Sequence, residues 1–313
     1  MNLSGGNLLM AFDCLTSDRS VKDAIASAAL LSRNFGWTPQ AVAVMSPDQL
    51  SWPTDFTKTW RDEFEKLGEN ALSSFLQRNR QKGNFPEKVV LQSYHSRSES
   101  VRSMITEAKR KKASAIAVFT HTRQRGPTLP GGFISSLIHQ SPLPVLALNA
   151  NAPAINSVQT LLVATDFSAE GLKAFKEAIQ LAQITKAKLV LVHVFTTLVN
   201  ETMVASAGLA GGWNNVEAYL YNEQGRIKAK AKRWIAKAQD QGVSASFELI
   251  GNCLSVSSAI LKSADKNRAD LIVVTEKVGP WASIVLGSVT RDILASAEQP
   301  VLVMPTRTKR AKH

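Results

Sequence analysis

Cysteine is scarce in this sequence: 313 residues contain only Cys14 and Cys253, with no CxxC pair. That excludes a disulfide framework and a thiolate-type structural zinc site. Histidine is nearly as sparse, and His95, His121, His139, His193 and His313 show neither HExxH nor HxxxH spacing, so no metal motif is written in the chain. No apolar stretch approaches the ~18 residues a membrane helix needs, and residues 1–10, MNLSGGNLLM, lack the basic and long apolar regions of a signal peptide. A soluble, cytoplasmic protein with no membrane association is therefore expected. Also missing are a Walker loop, a GxGxxG after a strand and a GxSxG elbow. With no nucleophile or base to assign, no enzyme activity is expected.

Positive charge, by contrast, is in excess. The 37 Lys and Arg against 25 Asp and Glu give a formal net charge of +12. Residues 1–150 hold 18 basic and 12 acidic side chains and residues 151–313 hold 19 and 13, so each half carries +6. A surplus shared so evenly reads as a surface property. The clusters Lys109-Arg110-Lys111-Lys112 and Arg307, Lys309, Arg310, Lys312 lack the interleaved aromatics that stack on single strands, so nucleic acid is not the expected partner. The length suits two domains, and an apolar fraction of 44% supplies a core for each.

Those two domains are one unit written twice. The apolar run Leu8 to Phe12, closed by Asp13, recurs as Leu161 to Thr165, closed by Asp166, at an offset of 153. Ala24-Ile25 recurs as Ala178-Ile179 at an offset of 154. The segments 115–118 and 144–148 recur as 271–274 and 300–304 at an offset of 156. A drift of three residues across the unit means duplication with few insertions. The boundary falls in residues 149–157, NANAPAINS, giving domains at 1–150 and 156–306 and a basic tail at 307–313.

Each unit alternates strand and helix. In the second, strands are predicted at about 160–165, 188–195, 244–250, 270–275 and 300–304. Between the first two, residues 169–185 place Leu172, Phe175, Ala178, Ile179 and Ala182 on one face of a helix, with Ser168 as N-cap. Strands as continuously apolar as LVLVHV at 189–194 imply a parallel sheet covered on both faces. The expected fold is α/β, two tandem doubly wound five-stranded domains. The longest helices are predicted near 54–82 and 214–241. In the latter Arg226, Lys228, Lys230, Lys232, Arg233 and Lys237 form a solvated basic face, and Ile227, Ala231, Trp234 and Ile235 the buried stripe.

The segments LLVATDFS (161–168), LVHVF (191–195), DLIVVTE (270–276) and LGSVTRDILASAEQPVLVMP (286–305) together resemble the universal stress protein family in its tandem two-domain form. The first unit shows the plan more faintly in LLMAFDC, AIAVFTH, the Gly131-Gly132 pair and PLPVLALN. The resemblance implies a Rossmann-like sheet of order 3-2-1-4-5 in each domain, two domains paired through their last strands about a pseudo-twofold axis, and a regulatory or protective role. It also implies an adenine nucleotide, ATP or AMP, held where the strand order reverses.

Residue by residue, Asp166 matches the family's acid beside adenine and ribose, and Val194 matches a position whose backbone meets the base. Gly287, Ser288, Val289 and Thr290 open a helix whose free N–H groups suit phosphate. The glycines of the family's Gly-x2-Gly-x9-Gly-Ser/Thr loop are absent. Counted back from Gly287 they fall at Val274 and Lys277, while Gly279 lies two residues late and precedes Pro280. The first unit's loop, 120–126, lacks them too, and Gly132 stands where Ser288 does. Its own candidates are Asp13 and Val44. The loop cations His121, Arg123, Arg125 and Lys277 offer charge in place of lost backbone donors.

Other readings of the same residues stay open. Asp166 and Asp13 serve equally as turn formers, and Gly287-Ser288 as the N-cap of a packed helix. The apolar stretch 200–215 suits a lid or a partner contact. The last strands, if unpaired, invite association as a scaffold without ligand or as a homo-oligomer, and a basic nucleic-acid-associated protein is the other alternative.

Overall fold

The computed structural model describes residues 3–12, 21–45, 58–79, 88–92, 97–120, 132–195, 213–251, 253–276 and 287–306. In the first unit β1 (Asn7–Phe12), α1 (Lys22–Phe35), β2 (Thr38–Met45), α2 (Lys58–Arg78), β3 (Lys88–Gln92), α3 (Arg97–Arg110), β4 (Ala113–Thr120), α4 (Gly132–Gln140) and β5 (Val145–Asn149) follow in strict alternation. The second repeats it as β6 (Thr160–Ala164), α5 (Ala169–Thr185), β7 (Lys188–Phe195), α6 (Trp213–Gln239), β8 (Ala245–Gly251), α7 (Val256–Lys266), β9 (Leu271–Thr275), α8 (Ser288–Ser296) and β10 (Val301–Met304).

All ten strands belong to one sheet, ordered β3-β2-β1-β4-β5-β10-β9-β6-β7-β8. Each half therefore has the order 3-2-1-4-5, with parallel neighbours inside it. The halves meet where β5 and β10 pair antiparallel, Leu146 opposite Leu302, Ala147 opposite Val301 and Val145 opposite Val303. At the repeat's offset of 156 Leu302 is the equivalent of Leu146, and the two flanking pairs exchange with one another. A pseudo-twofold axis consequently passes through the Leu146–Leu302 pair, as in an isologous dimer interface.

Side chains alternate across this sheet into two apolar layers. One joins Leu8, Met10, Phe12, Leu161 and Val163 to α1, α2, α5 and α6. The other joins Leu9, Ala11, Leu162 and Ala164 to α3, α4, α7 and α8. With both faces covered, the middle strands carry unbroken apolar runs such as Leu8–Phe12, Ala115–Phe119 and Leu271–Val274. The duplicated Ala24-Ile25 and Ala178-Ile179 occupy matching buried positions in α1 and α5.

Helix α5 has the predicted bounds. Ser168 accepts from the Gly171 N–H at 3.1 Å, satisfying a first-turn donor. Of its predicted stripe Phe175, Ala178, Ile179 and Ala182 are buried, and Leu172 is half-buried. Helix α2 is described over Lys58–Arg78, within its predicted span, and α6 begins one residue earlier than predicted and stops two sooner, before the positive-φ Gly242. At the far edge, the carboxylate of Glu248 ties β8 to α7, accepting from Ser263 Oγ at 2.7 Å and Lys266 Nζ at 2.8 Å.

Candidate functional site

Strand order reverses in the second unit between β6 and β9, and the chain leaving β6 turns sharply there. Thr165 extends the ladder by one bond, its N–H donating to the Val192 carbonyl at 2.9 Å. Phe167 then takes φ +58°, a left-handed conformation rare for an aromatic residue. Three successive side chains hold the turn. Thr165 Oγ1 accepts from the Phe167 N–H at 2.9 Å, Asp166 Oδ1 from the Ser168 N–H at 2.9 Å, and Ser168 Oγ from Gly171. The ring of Phe167 is wedged against His193, Trp234 and Phe247, with centroids 5.2, 4.9 and 6.0 Å away. That apolar contact offsets the backbone strain. Gly171 is required for close approach here, since a Cβ on it would lie 2.7 Å from Thr165 Oγ1 and 3.2 Å from Asp166 Oδ1.

Asp166 is thus a turn former, as its alternative reading proposes, yet this role occupies only Oδ1. Its Oδ2 has no hydrogen-bond partner among the described residues. A partly exposed carboxylate oxygen, fixed in place by its own turn, is free to accept from a ligand hydroxyl.

His193, which no sequence motif marked, braces the turn from β7. Its Nδ1–H donates to the Thr165 carbonyl at 2.7 Å, which sets the neutral ring's tautomer. Burial pushes the imidazole below its ordinary value and Lys230 adds to this, against the opposing pull of the Thr165 carbonyl, Asp166 and Glu223. The unfolded chain, with a pKa of about 6.5, therefore binds more protons than the folded one just below that pH. The sign follows: the contribution to stability is complete above about pH 6.5 and is lost as pH falls toward the folded value. Urea melts between about pH 7.5 and 5 should show this loss in the native chain and a smaller one in His193→Gln; equal slopes would contradict it.

Val194 follows in β7, opposite Ile250 of β8. Because the Val192 carbonyl faces β6, the peptide groups of Val194, two residues on, face the same side. There β6 has already ended, so this backbone borders the corner beside Asp166.

Across the corner lie the end of β9 and the start of α8. Val274 is a fully buried strand residue opposite Val303, so counting back from Gly287 places the first loop glycine inside β9. The residues at the strand's carboxyl end are Thr275 and Glu276, both buried. Gly287, and not Ser288, is the N-cap of α8, and it supplies no side-chain cap. Its N–H points to the Glu276 carbonyl at 3.4 Å. Ser288 is exposed in the first turn, whereas Val289 packs against the core. Thr290 is fully buried, and its hydroxyl donates to the Thr275 carbonyl at 3.0 Å, so that side chain serves packing and is closed to a ligand.

Of the remaining candidates, Val44 lies in β2 opposite Leu91. Asp13, His121, Arg123, Arg125 and Lys277 lie outside the described residues, as does 200–212; Trp213, assigned to a loop by sequence, begins α6.

A pair not anticipated from sequence joins the halves at this corner. Glu276, 1% exposed, accepts from His139 Nδ1 of α4 at 2.8 Å and from Thr306 Oγ1 at 2.9 Å. On the opposite side of the twofold, Asn149 Nδ2 donates to the Ala297 carbonyl at 3.0 Å. Among the described residues no cluster of His, Cys, Asp or Glu could hold a metal ion, and no helix is long and apolar enough to cross a membrane.

Fold and corner together define a tandem, doubly wound α/β protein whose strand order reverses between β6 and β9 in its second unit. Residues 157–305 match the model of the universal stress protein family. The second unit carries that family's sequence, and the first unit shares the fold. Among solved structures it is similar to a universal stress protein from Archaeoglobus fulgidus DSM 4304, 17% identical over 97% of both chains, with a TM-score of 0.65. It is also similar to a putative universal stress protein from Pseudomonas aeruginosa UCBPP-PA14, 15% identical over 97% of this chain and 94% of that one, with a TM-score of 0.58. At these identities the likeness is one of fold, and it spans both units. No curated protein matches the chain in sequence.

Proposed function

We propose that the protein is a regulatory or protective stress-response protein, without catalytic turnover, whose second unit holds an adenine nucleoside or nucleotide between the carboxyl ends of β6 and β9. The observation that carries this reading is the Asp166 carboxylate, fixed through Oδ1 while Oδ2 faces no partner among the described residues. Ribose hydroxyls are the natural donors for it, the backbone of Val194 borders the base position, and the first-turn N–H groups of Ser288, Val289 and Thr290 have no intrahelical acceptor. Arg123, Arg125 and Lys277 are secondary anion contacts in this reading, and Asp13 and Val44 the first unit's counterparts. The units run over 1–150 and 156–306, followed by the basic tail. Calorimetric titration with adenosine, AMP and ATP tests it. At least one should bind, and Asp166→Ala should weaken it about tenfold or more, the loss of a hydrogen bond to a charged group. Absence of heat at millimolar ligand would refute the reading.

A second reading, an acidic partner, rests on α6. Lys228, Lys230, Lys232, Arg233 and Lys237 are exposed and pair with no carboxylate among the described residues; only Arg226 approaches one, Glu223, at 3.6 Å. Association with a polyanion that persists at high salt would count against a charge-only contact.

A further inference from the structure

We propose that Glu276 is a specificity-determining residue, one that makes the second unit take a nucleoside or its monophosphate in preference to a polyphosphate, and that the first unit contributes His139 to this selection. The inference rests on the ligand site proposed above and adds the charge class of its ligand.

A helix N-terminus that receives phosphate needs free donors and no competing anion. At α8 the donors nearest the strand end are already spent. The Gly287 N–H points to the Glu276 carbonyl, the Thr290 hydroxyl is donated to Thr275, and the Glu276 N–H is donated to the Met304 carbonyl at 2.9 Å. What remains among the described residues is the N–H groups and the Ser288 hydroxyl of the first turn, beside the carboxylate of the residue whose carbonyl faces the Gly287 N–H. One negative charge exceeds the roughly half positive charge of a helix end.

Glu276 cannot swing this charge into water. It is 1% exposed, and Oε1 and Oε2 are held separately by His139 and Thr306. A charge fixed in a poorly solvated place is weakly screened, so its repulsion grows with each phosphate added to a ligand. The base and ribose positions at Val194 and Asp166 are indifferent to it, because adenosine is neutral.

The duplication provides an internal control. At the offset of 156, the counterpart of Glu276 is Thr120 and that of His139 is Ala295. Thr120 satisfies its own hydroxyl by donating to the Leu148 carbonyl at 3.3 Å. The equivalent positions of the repeat hold neither a carboxylate nor a histidine, so Glu276 and His139 are not demanded by strand pairing. They differentiate one corner of a near-symmetric molecule.

Binding of adenosine, AMP and magnesium-free ATP to the full chain tests this, alongside Glu276→Gln, His139→Gln and the double variant. Adenosine should bind the native chain at least about tenfold more tightly than ATP, as one poorly screened charge against several requires. Glu276→Gln, which keeps the shape and both contacts, should tighten ATP about tenfold and leave adenosine within about twofold. The double variant should match Glu276→Gln, since His139 acts only through the carboxylate. Equal affinity of the native chain for adenosine and ATP, with adenosine still bound, overturns the selectivity while leaving the site intact. So does a ratio unmoved by Glu276→Gln. Failure of every ligand to bind removes the site itself. Because the native ratio needs no variant, a substitution that fails to fold cannot shelter the proposal.

Discussion

Phe175→Ala should lower the stability of the chain by about 3–5 kcal/mol, the range for deleting a fully buried phenyl ring. The ring is 0% exposed on the core stripe of α5 and stacks on Trp234 at 5.3 Å. Trp234 in turn meets Phe167 edge-on at 4.9 Å, and Phe167 is the residue held at positive φ beside Asp166. The cavity therefore opens directly beneath the candidate site. A strained turn persists only while its surroundings over-determine it, so the substitution should weaken ligand binding as well as stability. Urea denaturation gives the first effect and a titration below the transition the second. A loss under about 1 kcal/mol would show that the aromatic stack is not the support described here.

Leu302→Asp should be more severe still. Leu302 is 0% exposed and lies opposite Leu146 on the pseudo-twofold axis, with β9 on its other side. A carboxylate there is buried in the apolar layer that Leu302 shares with Leu146, Leu161 and Leu271, a change of the class that exceeds about 4 kcal/mol. Because β10 joins both halves of one sheet, loss of its packing should separate the units as well as destabilise the second. Circular dichroism melts should show a fall in midpoint or a second transition, and size-exclusion chromatography an expanded chain. A single transition at the native temperature would mean that the β5–β10 contact contributes little.

The strands and α5 were legible because their signals are local. A continuous apolar run marks a strand covered on both faces, and Ser168 before AEGLKAFKEAI marks both a cap and a stripe. The repeat made the order 3-2-1-4-5 readable in both halves once the family resemblance was in view. The details of the site were less so. Gly287 caps α8 and Ser288 does not, a distinction of one residue that no local sequence pattern settles. Val274, placed in the phosphate loop by counting, is held inside β9 by its pairing with Val303. Thr290, chosen for its hydroxyl, spends it on Thr275.

The residues that sequence missed are those whose partners come from elsewhere. His193 lies in a strand pattern that explains it fully as an apolar-face neighbour, and only the turn after β6 gives its Nδ1 a carbonyl to reach. Glu276 and His139 are 137 positions apart, brought together by the antiparallel seam. A carboxylate immediately after an apolar strand was visible in DLIVVTE, but nothing local says that it is buried. The net charge of +12 was likewise a weak guide, because the charge proposed to decide ligand choice is a single buried negative one.

An adenine ligand is proposed to sit at the corner between β6 and β9 of the second unit. Amide hydrogen exchange of the full chain, with and without saturating adenosine, tests it most directly. Protection should rise in the turn after β6 at 165–168, at the end of β7 around 193–195, and in the first turn of α8 at 287–291, with the equivalent segments of the first unit unchanged. Exchange that is unaltered in those three segments, or protected only in the first unit or along α6, would contradict it.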